Sequence, residues 1–440
     1  MHISQAEFLQ RRQALLGALP PNSFCVVPAA RLQTRSRDTE FPFRQDSDFY
    51  YLTGFPEPDA VLLMSNHADN DGALSILFCL PKDKQAEIWQ GRRVGPTEAA
   101  RQYGFDEAYA LEHVEDALVS LMDGHDYLYF AQGHDADADN AIFEALATLR
   151  DAPKQSKTPP ASLCDVRRII HEMRLIKSEA EQAVMREAAR ISANAHTRAM
   201  KCATAGMKEY QLEAELHHEF VFNGARSPAY GTIVGSGENA CILHYTENTD
   251  AMQDGDLVLI DAGAELHGYA ADITRTFPVS GRFSAPQRAL YDLVLRAQEE
   301  ALSILKPGAT LKQATDRTID VLCEGLIALG LLSGTVEENV SSQAYRAFFM
   351  HGLGHWLGLD VHDVGDYKID GQDRPLKAGM VLTVEPGLYI APDADVDEQW
   401  RGIGIRIEDN ILITETGHEN LTSSVVKSAD EIEALMQSSK

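Results

Sequence analysis

The chain has 440 residues, and its 66 acidic residues outnumber 39 basic ones, which gives a formal net charge of −27. At about 100–200 residues per domain this length predicts two or three domains, and 44% hydrophobic residues are enough to build their cores. A nucleic-acid or anionic membrane surface needs clustered Lys and Arg. Here basic residues come at most in pairs, so we expect neither partner.

Six cysteines are spread along the chain without a CxxC motif or other metal-ligand spacing. This indicates buried, reduced thiols in a cytosolic protein. The N-terminus lacks the basic and apolar segments of a signal peptide, and no run approaches about 18 apolar residues. We therefore expect a cytoplasmic protein without a transmembrane helix.

The first part of the chain alternates helical stretches with short apolar runs. Ser4 to Glu7 has the sequence of a capping box and predicts a helix after it. Four apolar runs predict strands at residues 23–27, 60–64, 73–80 and 127–131, and helices are predicted at residues 97–103, 112–121 and 136–149. This alternation predicts an α/β domain with a central sheet over residues 1–170. The Pro- and Lys-rich stretch from Asp151 to Ser162 predicts a linker or a long surface loop.

The second part begins with another capping box, Ser178 to Glu181, which opens a helix predicted to run to about Thr204. Further helices are predicted at residues 209–222, after Ser284, and at residues 311–329. Strands dominate otherwise from Asp256 onward. Residues 171–440 are therefore predicted to form an α+β domain, with an antiparallel sheet and helices on one side.

Two aspartates are predicted to lie together on a hairpin. An apolar strand ends in Asp261, His267-Gly268 can form a two-residue turn, and the return strand contains Asp272. With that turn Asp261 faces Thr274, and because strand side chains alternate, Asp272 lies on the same face as Thr274. Two close carboxylates with no basic residue on that face repel each other, and a cation between them would remove the conflict.

A second pair of carboxylates follows a similar pattern. The apolar run from Met380 ends in Glu385, and another apolar run carries Arg406 and Glu408 on one face by period two. Burying a carboxylate beside apolar strands is costly unless it is paired or bound to a metal. The same physical argument thus applies at two separate strand systems.

Three histidines, His351, His355 and His362, lie close together in a segment interleaved with glycines. Glycine is poor in helix interiors and permits close backbone approach in a loop, so the pattern favours a loop. The segment differs from the HExxH zinc helix, because Gly352 stands where the glutamate would be.

Each of these residues also has an ordinary interpretation. Asp261 could begin a turn, Asp272 could face solvent, and Arg406 with Glu408 could be a surface ion pair of little energetic weight. Glu385 could end a strand, and a single histidine is more often structural than a ligand. The metal-site hypothesis depends on five positions occurring together: Asp261, Asp272, His355, Glu385 and Glu408.

In this order, the five residues resemble the metal-ligand set of the pita-bread metallopeptidases, which include methionine aminopeptidase, prolidase and aminopeptidase P. Residues 41–55 resemble the N-terminal domain of aminopeptidase P. The resemblance spans residues 4–437 and implies an α/β N-terminal domain followed by an α+β pita-bread catalytic domain. The motifs that match best are residues 235–239 with 244–245, 260–263, 272–277, 351–363, 383–389 and 404–409.

The resemblance implies a dinuclear metallopeptidase that releases an N-terminal residue preceding proline. Asp272 and Glu408 would bridge two divalent metals, Asp261 would hold one, and His355 with Glu385 would hold the other. This oxygen-rich set suits Mn²⁺ best, with Co²⁺, Mg²⁺ or Zn²⁺ as alternatives. A water between the metals would be the nucleophile, and Glu385 would pass its proton to the leaving nitrogen.

The resemblance also implies roles for other polar residues. His362 would donate to the developing oxyanion, while His244 and His351 would line the pocket for the proline ring. Arg406 would orient a ligand carboxylate or the substrate backbone. Weaker candidates for substrate contact are Asp38, Trp89 and Tyr389, of which the first two would reach the site only across a domain or subunit contact.

Other functions remain open at this point. Prolidase has the same ligands but cleaves only Xaa-Pro dipeptides, and the stretch at residues 44–55 favours aminopeptidase P over it. A creatinase-like enzyme without metals, or an inactive pita-bread binding module, would typically lose ligands, and none is replaced here. The resemblance implies peptide substrates with proline at the second position, and a homotetramer or homodimer assembled through the N-terminal domains.

Overall fold

The computed structural model describes residues 2–68 and 73–438. Residue contacts divide the chain into an N-terminal unit, His2–Arg174, and a C-terminal unit, Leu175–Lys440. The division falls near the end of a helix that begins at Arg167. It lies four residues after the boundary expected at residue 170 (174 − 170).

The N-terminal unit contains eight strands and seven α-helices in its described residues, and the last helix ends one residue beyond the unit. The strands are β1 (Ser23–Pro28), β2 (Thr34–Ser36), β3 (Thr39–Glu40), β4 (Val61–Ser65), β5 (Leu74–Cys79), β6 (Glu107–Ala110), β7 (Tyr127–Phe130) and β8 (Ser162–Asp165). The helices are α1 (Gln5–Ala18), α2 (Ser47–Thr53), α3 (Lys84–Gln90), α4 (Pro96–Tyr103), α5 (Val114–Met122), α6 (Ala136–Arg150) and α7 (Arg167–Leu175).

Six of these strands form one sheet in the order β6-β5-β4-β1-β7-β8. Strand β4 runs antiparallel to both neighbours, and the other neighbouring pairs are parallel. Apolar residues of β1, β5 and β7 pack against α5 and α6 to form the core of this unit. The predicted α/β domain with a central sheet is confirmed.

Local signals in this unit act as the sequence predicts. The Ser4 hydroxyl accepts a hydrogen bond from the Glu7 amide at 3.3 Å and caps α1. The stretch from Asp151 to Ser162 is a mostly exposed surface loop rather than a linker, because β8 follows it and pairs with β7.

The C-terminal unit continues with six α-helices and thirteen strands in its described residues. The helices are α8 (Glu179–Cys202), α9 (Glu209–Phe222), α10 (Ala285–Ile304), α11 (Leu311–Ala328), α12 (Val336–Ser342) and α13 (Ala429–Gln437). The strands are β9 (Ser227–Pro228), β10 (Ile233–Ser236), β11 (Leu257–Asp261), β12 (Ala264–Leu266), β13 (Tyr269–Ala270), β14 (Thr274–Pro278), β15 (Lys368–Ile369), β16 (Gln372–Asp373), β17 (Val381–Val384), β18 (Gly387–Tyr389), β19 (Gly404–Arg406), β20 (Asp409–Ile413) and β21 (His418–Asn420).

Strand pairs of the C-terminal unit are antiparallel throughout its described residues. They form small sheets, among which β10-β11-β14 and β17-β20-β21 carry the site. Helices α8 and α9 pack as one pair, and α10 and α11 as another. Apolar residues of α10, α11, β17 and β20 form a shared core. The predicted α+β domain is confirmed.

The capping box at Ser178 and Glu181 forms in both directions, and α8 ends at Cys202, two residues before the predicted end (204 − 202). The six cysteines all lie in the described residues and are unpaired; three are buried and three half-buried. Among the described residues, none of the helices has the length and apolar character needed to cross a bilayer.

Candidate metal centre

Asp261 and Asp272 lie on the hairpin that runs from β11 to β14. Leu266 pairs with Tyr269 across the turn, and the same register continues to Asp261, which pairs with Thr274. The turn residues His267 and Gly268 have φ of 51° and 84°, the positive values that a type I′ turn requires. The register predicted from the sequence is confirmed by this pairing.

The hydroxyl of Tyr230 lies between the two aspartates. It is 2.6 Å from Asp261 Oδ1 and also contacts Asp272 Oδ1. A phenol carries one proton, so Tyr230 can donate to only one of the two carboxylates at a time. Arg406 adds a second donor, since its Nη2 lies 2.6 Å from Asp261 Oδ2. The basic group that the aspartate face of the hairpin lacks therefore comes from β19.

Glu385 and Glu408 lie at one end of the antiparallel pair β17 and β20. Glu385 directly follows β17 and Glu408 directly precedes β20, where Val384 pairs with Asp409. The Thr383 hydroxyl donates to Glu385 Oε1 at 3.2 Å. The pairing of two distant strands thus brings two glutamates to one edge.

Arg275 contacts both the backbone of Glu408 and the side chain of Asp409. Its Nη1 donates to the Glu408 carbonyl at 2.6 Å, and its Nη2 pairs with Asp409 Oδ1 at 2.8 Å. Both Arg275 and Asp409 are fully buried. The hydroxyl of Thr274 donates to Glu408 Oε2 at 2.7 Å, so both the backbone and the carboxylate of Glu408 are held in place.

His355 lies in an irregular segment beside β17. Its Nδ1 is 2.9 Å from the Trp356 carbonyl, which assigns the proton to Nδ1 and leaves Nε2 directed at Asp272 and Glu385, each 3.5 Å away. Ligand atoms of Asp272, His355 and Glu408 lie within 4.8 Å of one another. A Cβ at Gly354 would lie 2.0 Å from the Thr383 carbonyl oxygen, so only glycine permits this approach.

Electrostatics of the carboxylates point to a bound cation. Burial, followed by the charge of Asp261, raises the pKa of Asp272 to about 6, and burial raises the pKa of Glu385 to about 7. Burial also raises the pKa of Glu408 well above its usual range. Asp261 differs: burial acts to raise its pKa, but the charge of Arg406 and the hydrogen bonds from Tyr230 and Arg406 together lower it. Four crowded carboxylates and one imidazole are a hard donor set, which fits divalent cations.

A cavity of about 570 Å³ opens over this cluster. Part of its wall is apolar, from Ile233, Leu243 and Val361. The cavity brings together nine of the residues predicted for the site: His244, Asp261, Asp272, His351, His355, His362, Glu385, Arg406 and Glu408.

Tyr389 contacts two residues of the cavity lining, Arg406 and His351. Its hydroxyl accepts from Arg406 Nη1 at 2.8 Å and lies 2.9 Å from His351 Nε2. His351 Nδ1 is 2.7 Å from the Gly352 carbonyl, so the imidazole donates through Nδ1 and accepts from Tyr389 through Nε2. Burial lowers the pKa of His351 to about 4, which keeps it neutral. Tyr389 itself is 2% exposed, and its predicted contact with substrate stays a prediction.

Asp38 and Trp89 belong to the N-terminal unit. Asp38 is exposed in the turn between β2 and β3, and Trp89 is 86% exposed on α3. Their participation in the site stays a prediction. Tyr230, in contrast, was absent from the residues predicted for the site, because it follows a strand of only two residues and belongs to no recognisable pattern.

Comparisons with known proteins agree with this geometry. Residues 183–415 match metallopeptidase family M24, and residues 8–129 match the aminopeptidase P N-terminal domain. The chain is 55% identical to the Xaa-Pro aminopeptidase of Escherichia coli K12, over 99% of this chain and 98% of that protein. It is 33% identical to human Xaa-Pro aminopeptidase 3, over 98% of this chain and 86% of the human protein.

Among solved structures, zinc-substituted E. coli aminopeptidase P in complex with product matches with a TM-score of 0.98 and 54% identity, over all of both chains. An alanine variant of the same enzyme in complex with substrate also has a TM-score of 0.98. The chain therefore belongs to metallopeptidase family M24 and, with its aminopeptidase P N-terminal domain, to the Xaa-Pro aminopeptidases of that family.

Proposed function

We propose that this protein hydrolyses the bond between an N-terminal residue and a following proline in peptides. The observation that carries the proposal is the convergence of Asp272, His355 and Glu408, with ligand atoms within 4.8 Å of one another, in the lining of a cavity of about 570 Å³. The full-length similarity to Xaa-Pro aminopeptidases supports the same activity.

The cofactor in this proposal is a pair of divalent metal ions. Asp261, Asp272, His355, Glu385 and Glu408 would hold them, because these side chains supply the carboxylate and imidazole donors of the cluster. We propose Mn²⁺ as the native metal, with Co²⁺, Mg²⁺ or Zn²⁺ as alternatives. When bound, two such ions supply an activated water and polarise the scissile carbonyl.

The remaining roles belong to residues around the cavity. Glu385 carries a proton to the leaving nitrogen, and His362 donates to the oxyanion. Arg406 orients Asp261, which its Nη2 contacts at 2.6 Å. His244 and His351 contact the proline ring, and His351 is held for this by Tyr389. Substrate contacts by Asp38 and Trp89 are part of the proposal without further support.

Selectivity for proline follows from its leaving group. An Xaa-Pro bond is a tertiary amide without an N–H, and the ring fixes the backbone of the following residue. A pocket with a ring-shaped wall, and with no acceptor waiting for that N–H, selects such a bond. The apolar wall of Ile233, Leu243 and Val361 supports this interpretation.

Peptide cleavage combined with metal analysis tests the proposal. We expect the purified protein with Mn²⁺ to release free Xaa from an Xaa-Pro-Yaa tripeptide, and Asp261→Ala to lose bound metal and activity together. The exposed Asp254→Ala is the matched control and should retain both. No release from the tripeptide would refute the activity, and cleavage of Xaa-Pro dipeptides alone would favour prolidase.

The proposal also covers the domain boundaries, the oligomeric state and the cell compartment. We propose that residues 1–170 and 171–440 are the two domains, and that the protein is a cytoplasmic homotetramer or homodimer assembled through its N-terminal domains. Sedimentation of the full chain measures the assembly, and fractionation of cells measures the compartment.

A further inference from the structure

A buried ion pair lies outside the residues that the proposed mechanism uses. Lys177 Nζ is 2.7 Å from Asp363 Oδ2, and each side chain is 1% exposed. A Cβ at Gly358 would lie 2.1 Å from that same oxygen, so the backbone of Gly358 covers the pair directly. The two residues are 186 positions apart in the chain.

Stability alone is a poor explanation for this pair. The desolvation of two buried charges can equal or exceed their attraction. Lys177 also directly precedes Ser178, the N-cap of α8, where a positive charge opposes the helix dipole. A buried pair of this kind is better suited to selecting one conformation of the segments that it joins.

The segment that the pair holds has no regular structure of its own. Residues 357–366 contain neither helix nor strand. Asp363 anchors them twice, because its amide donates to the Trp356 carbonyl at 2.9 Å while its carboxylate binds Lys177. The other end of the connection is also fixed, since the Lys177 amide donates to the Gly379 carbonyl at 2.8 Å.

His362 is the residue that this anchoring places. It directly precedes Asp363, it lines the cavity, and its ring centroid lies 4.1 Å from that of His355. We propose that Lys177 is a positioning residue for the reaction: by holding Asp363 it fixes the backbone from which His362 reaches the oxyanion. This inference rests on the role given to His362 in the proposed function.

Lys177→Met removes the charge and keeps the length of the side chain. We expect kcat to fall by between about tenfold and a hundredfold, because small displacements of a catalytic group have effects of this size. We expect KM to stay within about twofold, because His362 acts on the transition state. Arg186→Met is the matched control: Arg186 lies on α8 and pairs with Glu419 in an exposed contact, so kcat should not change.

A double-mutant cycle separates positioning from general damage. In a His362→Ala background, adding Lys177→Met should cost little further activity, because the group that Lys177 positions is gone. Full additivity of the two losses would overturn the inference. If His362→Ala retains wild-type kcat, the role of His362 fails and the inference fails with it. If His362→Ala is impaired but Lys177→Met is not, the inference alone fails.

Hydrogen exchange supplies a readout that does not depend on activity. Amides of residues 357–366 should exchange faster in Lys177→Met, and those of the Arg186→Met control should match the wild type. The double variant Lys177→Met with Asp363→Asn removes both charges, so no unpaired charge stays buried. It therefore separates a loss of positioning from a loss of stability. We expect this double variant to melt near the wild-type temperature and to remain impaired in kcat, and a fully active double variant would overturn the inference.

Discussion

Tyr230 is the side chain on which the two aspartates of the hairpin converge. Its hydroxyl contacts both Asp261 and Asp272 and donates its one proton to either of them at a time. Arg406 donates to the other carboxylate oxygen of Asp261. Groups that contact ligands in this way orient them and tune their basicity, which is why their loss weakens metal binding. Tyr230 therefore contacts two of the five predicted ligands although it is not one of them.

Replacing Tyr230 by phenylalanine tests this role. We expect Tyr230→Phe to lower metal affinity by about tenfold to a hundredfold, because the shared donor is lost while the ring is kept. Competition with a chelator measures the change. Tyr210→Phe, at an exposed tyrosine of α9, should leave the affinity unaltered, and equal affinities for both variants would contradict the prediction.

We expect the stability of the C-terminal unit to depend on pH through His196. Its ring is fully buried on α8, and its Nε2 lies 2.9 Å from the carbonyl of Ala262, beside Asp261. Burial lowers the pKa of His196 from 6.5 to about 4. Between pH 6.5 and pH 4, His196 is therefore protonated in the unfolded chain but neutral in the folded chain. The free energy of unfolding consequently falls as the pH drops from 6.5 towards 4.

The loss in the free energy of unfolding due to His196 should be on the order of 3 kcal/mol near pH 4, because one pKa unit corresponds to about 1.4 kcal/mol. Urea unfolding of the metal-free protein between pH 7.5 and pH 4.5 measures it. We expect His196→Gln to lose less stability over this range than the wild type. His218→Gln, at an exposed histidine of α9, should behave like the wild type; if His196→Gln does as well, the prediction is wrong.

At the scale of elements, the hairpin from β11 to β14 was predictable because its determinants are local. The turn His267-Gly268 and the alternation of side chains define the register, and the observed pairing of Asp261 with Thr274 follows. The local sequence pattern does not show how closely the two arms of the hairpin, β11 and β14 with their extensions, approach each other. A Cβ at Gly263 would lie 1.7 Å from the Ala271 carbonyl oxygen, and 3.0 Å from the Asp272 amide.

Gly263→Ala should therefore force the arms of the hairpin apart. We expect a loss of at least about 2 kcal/mol in the free energy of unfolding, because backbone cannot give way as a side chain can, together with weaker metal binding. Denaturant unfolding measures the first effect and chelator competition the second. Gly417→Ala is the control, since no atom lies within 4 Å of its added Cβ; similar losses in both variants would argue against the close approach.

At the scale of the whole molecule, the excess of acid is a surface property. The four predicted ligand carboxylates account for only four of the negative charges, which leaves −23 (−27 + 4). A field of this sign attracts cations over distances of about a Debye length, some 8–10 Å at physiological salt. The proposed substrates have a positively charged N-terminus, so the field should assist their approach.

Ionic strength tests this effect. We expect kcat/KM for a peptide with a net positive charge to fall as salt is raised, because screening removes the attraction. A peptide of equal length with a net negative charge should show the opposite or no trend. If kcat/KM is insensitive to salt for both peptides, the surface charge has no part in substrate approach.

The amino-acid sequence by itself determined eight of the thirteen α-helices in the described residues, the hairpin register and the candidate ligands; α2, α3, α7, α12 and α13 were not predicted. Caps such as Ser178 with Glu181 and the period-two pattern around Asp261 act within a few residues, so they can be recognised without the fold. The order of the candidate ligands is likewise visible along the chain, because the four carboxylates lie in or at the ends of strand-like runs and His355 lies in a segment interleaved with glycines.

The tertiary structure alone decided what surrounds those ligands. Tyr230 reaches Asp272 across 42 positions, Arg406 reaches Asp261 across 145, and Lys177 reaches Asp363 across 186. None of these contacts has a local signal, because each depends on how separate strands and helices pack. The physical reason is that capping and periodicity depend on residues a few positions apart. A buried charge needs a partner because the folded interior has a low dielectric constant, and which residue becomes that partner depends on how distant segments pack.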